Sequence, residues 1–177
     1  MPDRLKPAFG LAVLAVALLL SGCGSSSKPT STTSSRTPST GASSSTKAQF
    51  VSQANAICSA LQAEEKPLQA QQEKLKALPS PTIDTAFVAL VRHAVRLARA
   101  AESKLRALPM PAGNAHAIEQ LLNAFAEETT DANGIAKAAN LQEATLGELA
   151  AKDLQRSVAR NKALAAGYGM GDCIGSE

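Results

Sequence analysis

Phe87, Val91, Ala94, Ala98, Ala101, Leu105 and Leu108 follow one another at intervals of four and three without a break. A strand turns successive side chains to opposite faces and could not bury this set together. A helix of 3.6 residues per turn gathers it into one stripe at the spacing of a helical bundle. The same chemistry surrounds it. The 130 residues after Lys47 hold no Trp, one Tyr and abundant Ala and Leu, a helix-forming composition over a length that suits a single domain.

Three further helices are expected around that stripe. Phe50, Ala54, Ile57, Leu61, Leu68, Leu75 and Leu78 recur at intervals of three, four or their sum, with Glu64 and Gln71 interrupting. This predicts a first helix over Ala48 to Leu78, bent near Glu64 because Pro67 removes a backbone donor. Glu64, standing where Leu or Ala would fit the heptad, is expected to be exposed by that bend rather than to face a cavity. Ile118, Leu121, Leu122, Phe125, Ala132, Ile135 and Ala136 define a third, less regular face. Asn133-Gly134 lies inside it and could equally be the turn that ends it. A fourth helix is expected from Asn140-Leu141-Gln142-Glu143, read as a capping box, and presents Leu146, Ala150, Leu154, Val158 and Ala165.

Lys74-Leu75-Lys76-Ala77-Leu78-Pro79-Ser80-Pro81 recurs as Lys104-Leu105-Arg106-Ala107-Leu108-Pro109-Met110-Pro111. Each copy places a basic pair in a last helical turn, where it complements the dipole, and prolines that forbid continuation. Two copies make a repeated helix stop rather than a solenoid. Short connections then give an antiparallel up-down-up-down four-helix bundle, an all-α fold over residues 48–177.

The N-terminal part obeys different rules. Arg4 and Lys6 precede an apolar run from Ala8 to Leu20, and Leu20-Ser21-Gly22-Cys23 closes it. This arrangement resembles a bacterial lipoprotein signal peptide with its lipobox, which implies cleavage after residue 22 and lipid on Cys23. The run is too short to span a hydrocarbon core of about 30 Å. From Gly24 to Thr46 the chain is almost wholly Ser, Thr, Gly, Ala and Pro, too polar to offset the entropy of ordering, so residues 23–47 are expected to form a disordered tether. Such a chain would be held by lipid on the extracytoplasmic face of the cell membrane.

With Cys23 assigned to lipid, Cys58 and Cys173 remain as an even pair in an exported chain and are expected to be bonded to each other. Gly167-Tyr168-Gly169-Met170-Gly171-Asp172 supplies the flexible return. A reactive thiol or a metal thiolate finds no supporting neighbours, and there is no Cys-x-x-Cys.

Phe50, the segment Ala54-Asn55-Ala56-Ile57-Cys58, the Leu-Pro-x-Pro stops and Tyr168-Gly169-Met170-Gly171-Asp172-Cys173 resemble small, Ala-rich helical lipoproteins of high-GC Gram-positive bacteria. The similarity covers roughly residues 48 to 175. It implies export, lipid anchoring and the disulfide, and carries no assigned activity or catalytic residue.

The chemistry-bearing residues are few. Di-iron bundles need inward carboxylates and paired Glu-x-x-His, whereas His93 and His116 are the only histidines and neither follows a Glu by three. Glu127, Glu128 and Asp131 form the densest acidic group and read as a solvated face. No nucleophile elbow, zinc helix, phosphate loop or dinucleotide fingerprint occurs. Loss of residues 1–22 removes Asp3, Arg4 and Lys6 and leaves a net charge of +2, which with the low aromatic content argues against nucleic acid. No catalytic, cofactor or metal residue is assigned. The expectation is a non-enzymatic envelope module binding a protein or small ligand; the alternative is a metal or haem carrier using His93, His116, Met110, Met170 and the acidic group.

Overall fold

The structure, a computed structural model, describes residues 45–75 and 82–174. Four helices follow in order, α1 Lys47–Leu75, α2 Thr82–Arg106, α3 Ala115–Leu141 and α4 Ala144–Tyr168, and a 3₁₀ turn at Gly171–Cys173 ends the chain's described part. They form the expected antiparallel bundle, with each helix packed on its neighbour in sequence. The leader, Cys23, the tether as far as residue 44 and the first Leu-Pro-x-Pro stop lie outside the described residues, and so does the expected end of the first helix at Leu78.

The start of α1 is set by a reciprocal cap. Gln49 N donates to Thr46 Oγ1 at 3.2 Å, and Thr46 N donates to Gln49 Oε1 at 2.9 Å. This is the Thr-x-x-Gln form of the capping box, which satisfies two otherwise orphaned donors. It begins the helix at Lys47, and Ser45 is already anchored through its hydroxyl, which donates to the Pro109 carbonyl. Residues 45–47, read from sequence as tether, therefore belong to the bundle.

Helix α1 runs through Pro67 without interruption, and its inward stripe differs from the expected one. The stripe runs through Phe50, Ala54, Cys58, Leu61, Glu65, Leu68, Gln72 and Leu75, all buried or half-buried, and alternates three and four from Cys58 onward. Leu61, Leu68 and Leu75 stay on the stripe, while Cys58, Glu65 and Gln72 take the places expected for Ile57, Glu64 and Gln71, each one residue or about 100° further round. Glu64 and Gln71 are thereby exposed, and Glu65 and Gln72 turn inward.

The α3–α4 connection also differs. Helix α3 continues through Asn133-Gly134, where a Cβ on Gly134 would stand 3.4 Å from that of Ala150, an ordinary contact, so neither residue makes a turn there. It also continues through Asn140, which is therefore no N-cap; α4 starts after Glu143, whose side chain makes no capping hydrogen bond. The turn closes as a Schellman motif: Glu143 N donates to Ala138 O at 3.0 Å and Gln142 N to Ala139 O at 3.2 Å, with Gln142 in the left-handed region at φ 56°. Leu146, expected on the inner face, is 49% exposed beside Leu149 and Leu141. Helix α4 ends on the same motif with a glycine, since Met170 N donates to Ala165 O at 2.8 Å and Gly169 adopts φ 92°. That turn sends Met170 into the core.

Cys58 and Cys173 are bonded, with Sγ atoms 2.00 Å apart. The tail they tie down closes the bundle where α1 and α4 meet. Their backbones make few close approaches along the seam. At one end Phe50 meets Tyr168 edge to face at 6.0 Å between ring centres, and Lys47 Nζ lies 4.5 Å above the tyrosine ring.

Candidate functional site

The hydrophobic core is split along the bundle axis. One cluster gathers Phe50, Ala54, Cys58, Leu105, Ile118, Leu121, Leu122, Ala165, Tyr168 and Met170 at the disulfide end. The other gathers Phe87, Val88, Val91, Val95, Ile135, Ala136, Ala139, Leu154 and Val158 at the opposite end. Following each helix between its two contributions leads to the same middle layer: Leu61 to Leu68 on α1, Ala98 on α2, Phe125 to Ala132 on α3 and Asn161 on α4.

That layer contains a partly enclosed cavity of about 170 Å³. Helix α2 contributes Ala94 and Ala98, whose methyl side chains leave the space that larger residues would fill. Phe87, Val91, Val95, Phe125, Leu154 and Val158 supply apolar walls, and the tail residues Asp172, Cys173 and Ile174 line it together with Cys58. Polar side chains enter this apolar setting from three helices and the tail, among them Glu65 and Gln72 from α1, Glu128 from α3 and Asn161 and Lys162 from α4.

Their hydrogen bonding is unequal. Asn161, only 5% exposed, donates through Nδ2 to Glu128 Oε2 at 2.8 Å. Glu65 has no hydrogen-bond donor or cation paired with it among the described residues. Burial pushes its carboxyl up to about 7, and the neighbouring Glu128 carboxylate adds to the rise. Glu128 is also raised, chiefly by burial, against the pull of the Asn161 hydrogen bond and the Lys162 ammonium. Gln72 is 4% exposed and its Nε2 has no hydrogen-bond partner among the described residues. The nearby hydroxyls of Thr129 and Ser157 are satisfied within their own helices, donating to Ala126 O and Leu154 O.

A carboxyl titrating near neutrality in an apolar recess can exchange a proton or pair with a cation. An unpaired amide donor can receive an acceptor atom. The residues expected from sequence to bear chemistry fall elsewhere. His93 is exposed on α2 beside Val91 and Val95, and His116 is exposed near the start of α3, within 3.0 Å of Gln120. His93 lies near the middle of α2 and His116 in the first turn of α3. Met170 is fully buried and Met110 packs against the same cluster. The acidic group is divided, since Glu127 faces out to pair with Arg160 at 2.7 Å while Glu128 faces in. Among the described residues no group of three His, Cys, Asp or Glu side chains is placed to hold a metal ion, and no helix is long and apolar enough to cross a membrane.

Sequence reading passed over Glu65, Gln72 and Asn161. The signal for the first two was present in the four–three alternation through Cys58. Nothing local marked Asn161, because its partner is 33 residues away. Comparisons with protein-family models, curated proteins and solved structures return no match for this chain.

Proposed function

We propose that this chain is a non-enzymatic binding module of a bacterial envelope, cut after residue 22, held to the membrane by lipid on Cys23 and carrying a ligand site inside its bundle. The observation that carries the binding role is the cavity between the two core clusters. Native interiors are close-packed, and a void of about 150 Å³ walled by aliphatic and aromatic groups is large enough for a single-ring ligand. Here the void also holds a carboxyl and an amide without partners among the described residues, groups whose burial is costly unless something pairs with them.

The cavity is tested by a neutral ring compound. Indole added to the intact protein should raise its melting temperature by mass action, and Ala98→Leu, which fills the void, should abolish that rise. A melting temperature indifferent to indole in both proteins would count against a ligand cavity. Anchoring is tested separately: Cys23→Ser should leave the protein unprocessed or soluble, because lipid is the only proposed anchor. Retention of the variant on membranes after a high-salt wash, equal to that of the parent, would overturn the lipid anchor.

A further inference from the structure

We infer that the cavity selects a small amine with an apolar body and a hydrogen-bond acceptor at its far end, the ammonium pairing with Glu65 and the acceptor receiving the Gln72 amide. The inference rests on the ligand-cavity reading and adds the chemical class of the occupant. Glu65 and Gln72 are seven residues apart on one face of α1, a rise of about 10 Å. Both line the cavity, whose walls include the apolar side chains of Leu68, Phe87, Val91 and Ala94. An elongated single-ring molecule of that reach presents its charge to one and its acceptor to the other.

Charge decides the sign. The titratable groups facing Glu65 are Glu128 on α3, Lys162 on α4 and Asp172 in the tail, with Asp131 behind Glu128; α2 contributes only apolar side chains to the wall. Acidic groups outnumber the single ammonium, and Glu128 is already occupied by Asn161. Glu65 is the carboxylate left to be matched. An anion would bring a like charge beside two carboxylates, and a neutral ring would leave both Glu65 and the Gln72 amide unpaired. The amide is the independent sign of a ligand, since an almost fully buried donor without an acceptor is rare in a native interior.

Proton and ligand then compete for one site. Glu65 holds its proton to about pH 7 when the cavity is empty, so binding an ammonium displaces that proton, and affinity falls as the solution is acidified below neutrality.

Three probes of one shape and different charge test this: tyramine, tyrosol and 4-hydroxyphenylacetate, titrated into the intact protein by calorimetry at pH 8. Tyramine should bind tightest, by about 10- to 100-fold, the range of one charge-assisted hydrogen bond. Glu65→Gln should remove this preference, while Glu64→Gln, at the exposed neighbour, should leave it intact. Gln72→Leu should weaken tyramine but not phenethylamine, which lacks the acceptor. Equal affinities for the three probes, or a tyramine preference that survives Glu65→Gln, would overturn the amine selectivity while the indole result keeps the cavity reading. Failure of all three probes where indole binds would likewise reject the inference alone, whereas failure of indole as well would reject both.

Discussion

Glu65 makes the folded state responsive to pH in a direction opposite to that of a salt-bridged carboxylate. In the unfolded chain its ordinary value is 4.5, and in the fold it keeps its proton to about 7. The raised value means that the fold binds the proton more tightly. Its contribution is fully present below the unfolded value and is lost as pH climbs through the folded one. Glu128 acts in the same direction. The full interval for Glu65 corresponds to about 3 kcal/mol, which solvent entering the partly open cavity reduces to about 1 to 2 kcal/mol. Denaturant titration should therefore give a higher midpoint at pH 5 than at pH 8, and Glu65→Gln should flatten the difference by gaining stability at pH 8. A midpoint that rises with pH in the parent would show that paired carboxylates dominate instead. Which of two adjacent glutamates would behave this way was undecided at the level of residue type, because Glu64 and Glu65 differ only in rotation about the helix axis.

At the scale of single helices, two positions carry backbone costs that a substitution can relieve. Gln142 sits in the left-handed region at the end of α3, a conformation that costs a residue with a Cβ about 1 kcal/mol relative to Gly. Gln142→Gly should stabilise the bundle by about that amount, read as a shift in the denaturant midpoint with unchanged slope. Unchanged or lower stability would mean that unfolded-state entropy offsets the relief. Pro67 is exposed within α1 and denies the carbonyl of Ala63 its helical donor. Pro67→Ala should raise stability by about 1 to 3 kcal/mol, and no gain would show that the surrounding helix has already accommodated the ring. The helices themselves were legible from four–three periodicity and, after α2, from the Leu-Pro-x-Pro stop. The α3–α4 turn was not, because its left-handed residue is not a glycine and Asn140 looked like a cap. The Thr46–Gln49 box was legible in principle, yet it stood at the end of a Ser/Thr-rich run that masked it.

Across the whole molecule the disulfide and the tail act together. Asp172 is held by three contacts to α1: its backbone N donates to Asn55 Oδ1 at 3.3 Å, Ser59 Oγ donates to its carboxylate at 2.8 Å, and Gln62 Nε2 donates to its carbonyl. The bond between Cys58 and Cys173 spans 115 positions, a closure that restricts the unfolded chain by about 4 to 5 kcal/mol on the chain-entropy model. Reduction should lower the melting temperature by roughly 10 °C even if only half of that is realised, while helix content measured by circular dichroism changes less. Because tail residues line one side of the cavity, reduction should also weaken indole binding. A reduced protein with unchanged melting and binding would show that the three polar contacts hold the tail without the staple.

Sequence alone determined the number and chemical character of the helices, the stop after α2 and the pairing of the two cysteines, since each depends on local propensity, periodicity or elimination within the chain. Tertiary structure decided that Glu65 and Gln72 face inward, that Asn161 meets Glu128, and that Ala94 and Ala98 stand opposite them. A helix forms from hydrogen bonds within four residues, so its signal is written nearby. Burial, proton affinity and an empty volume depend on what three other helices place across the axis, and that information has no local trace in the residues that end up sharing it.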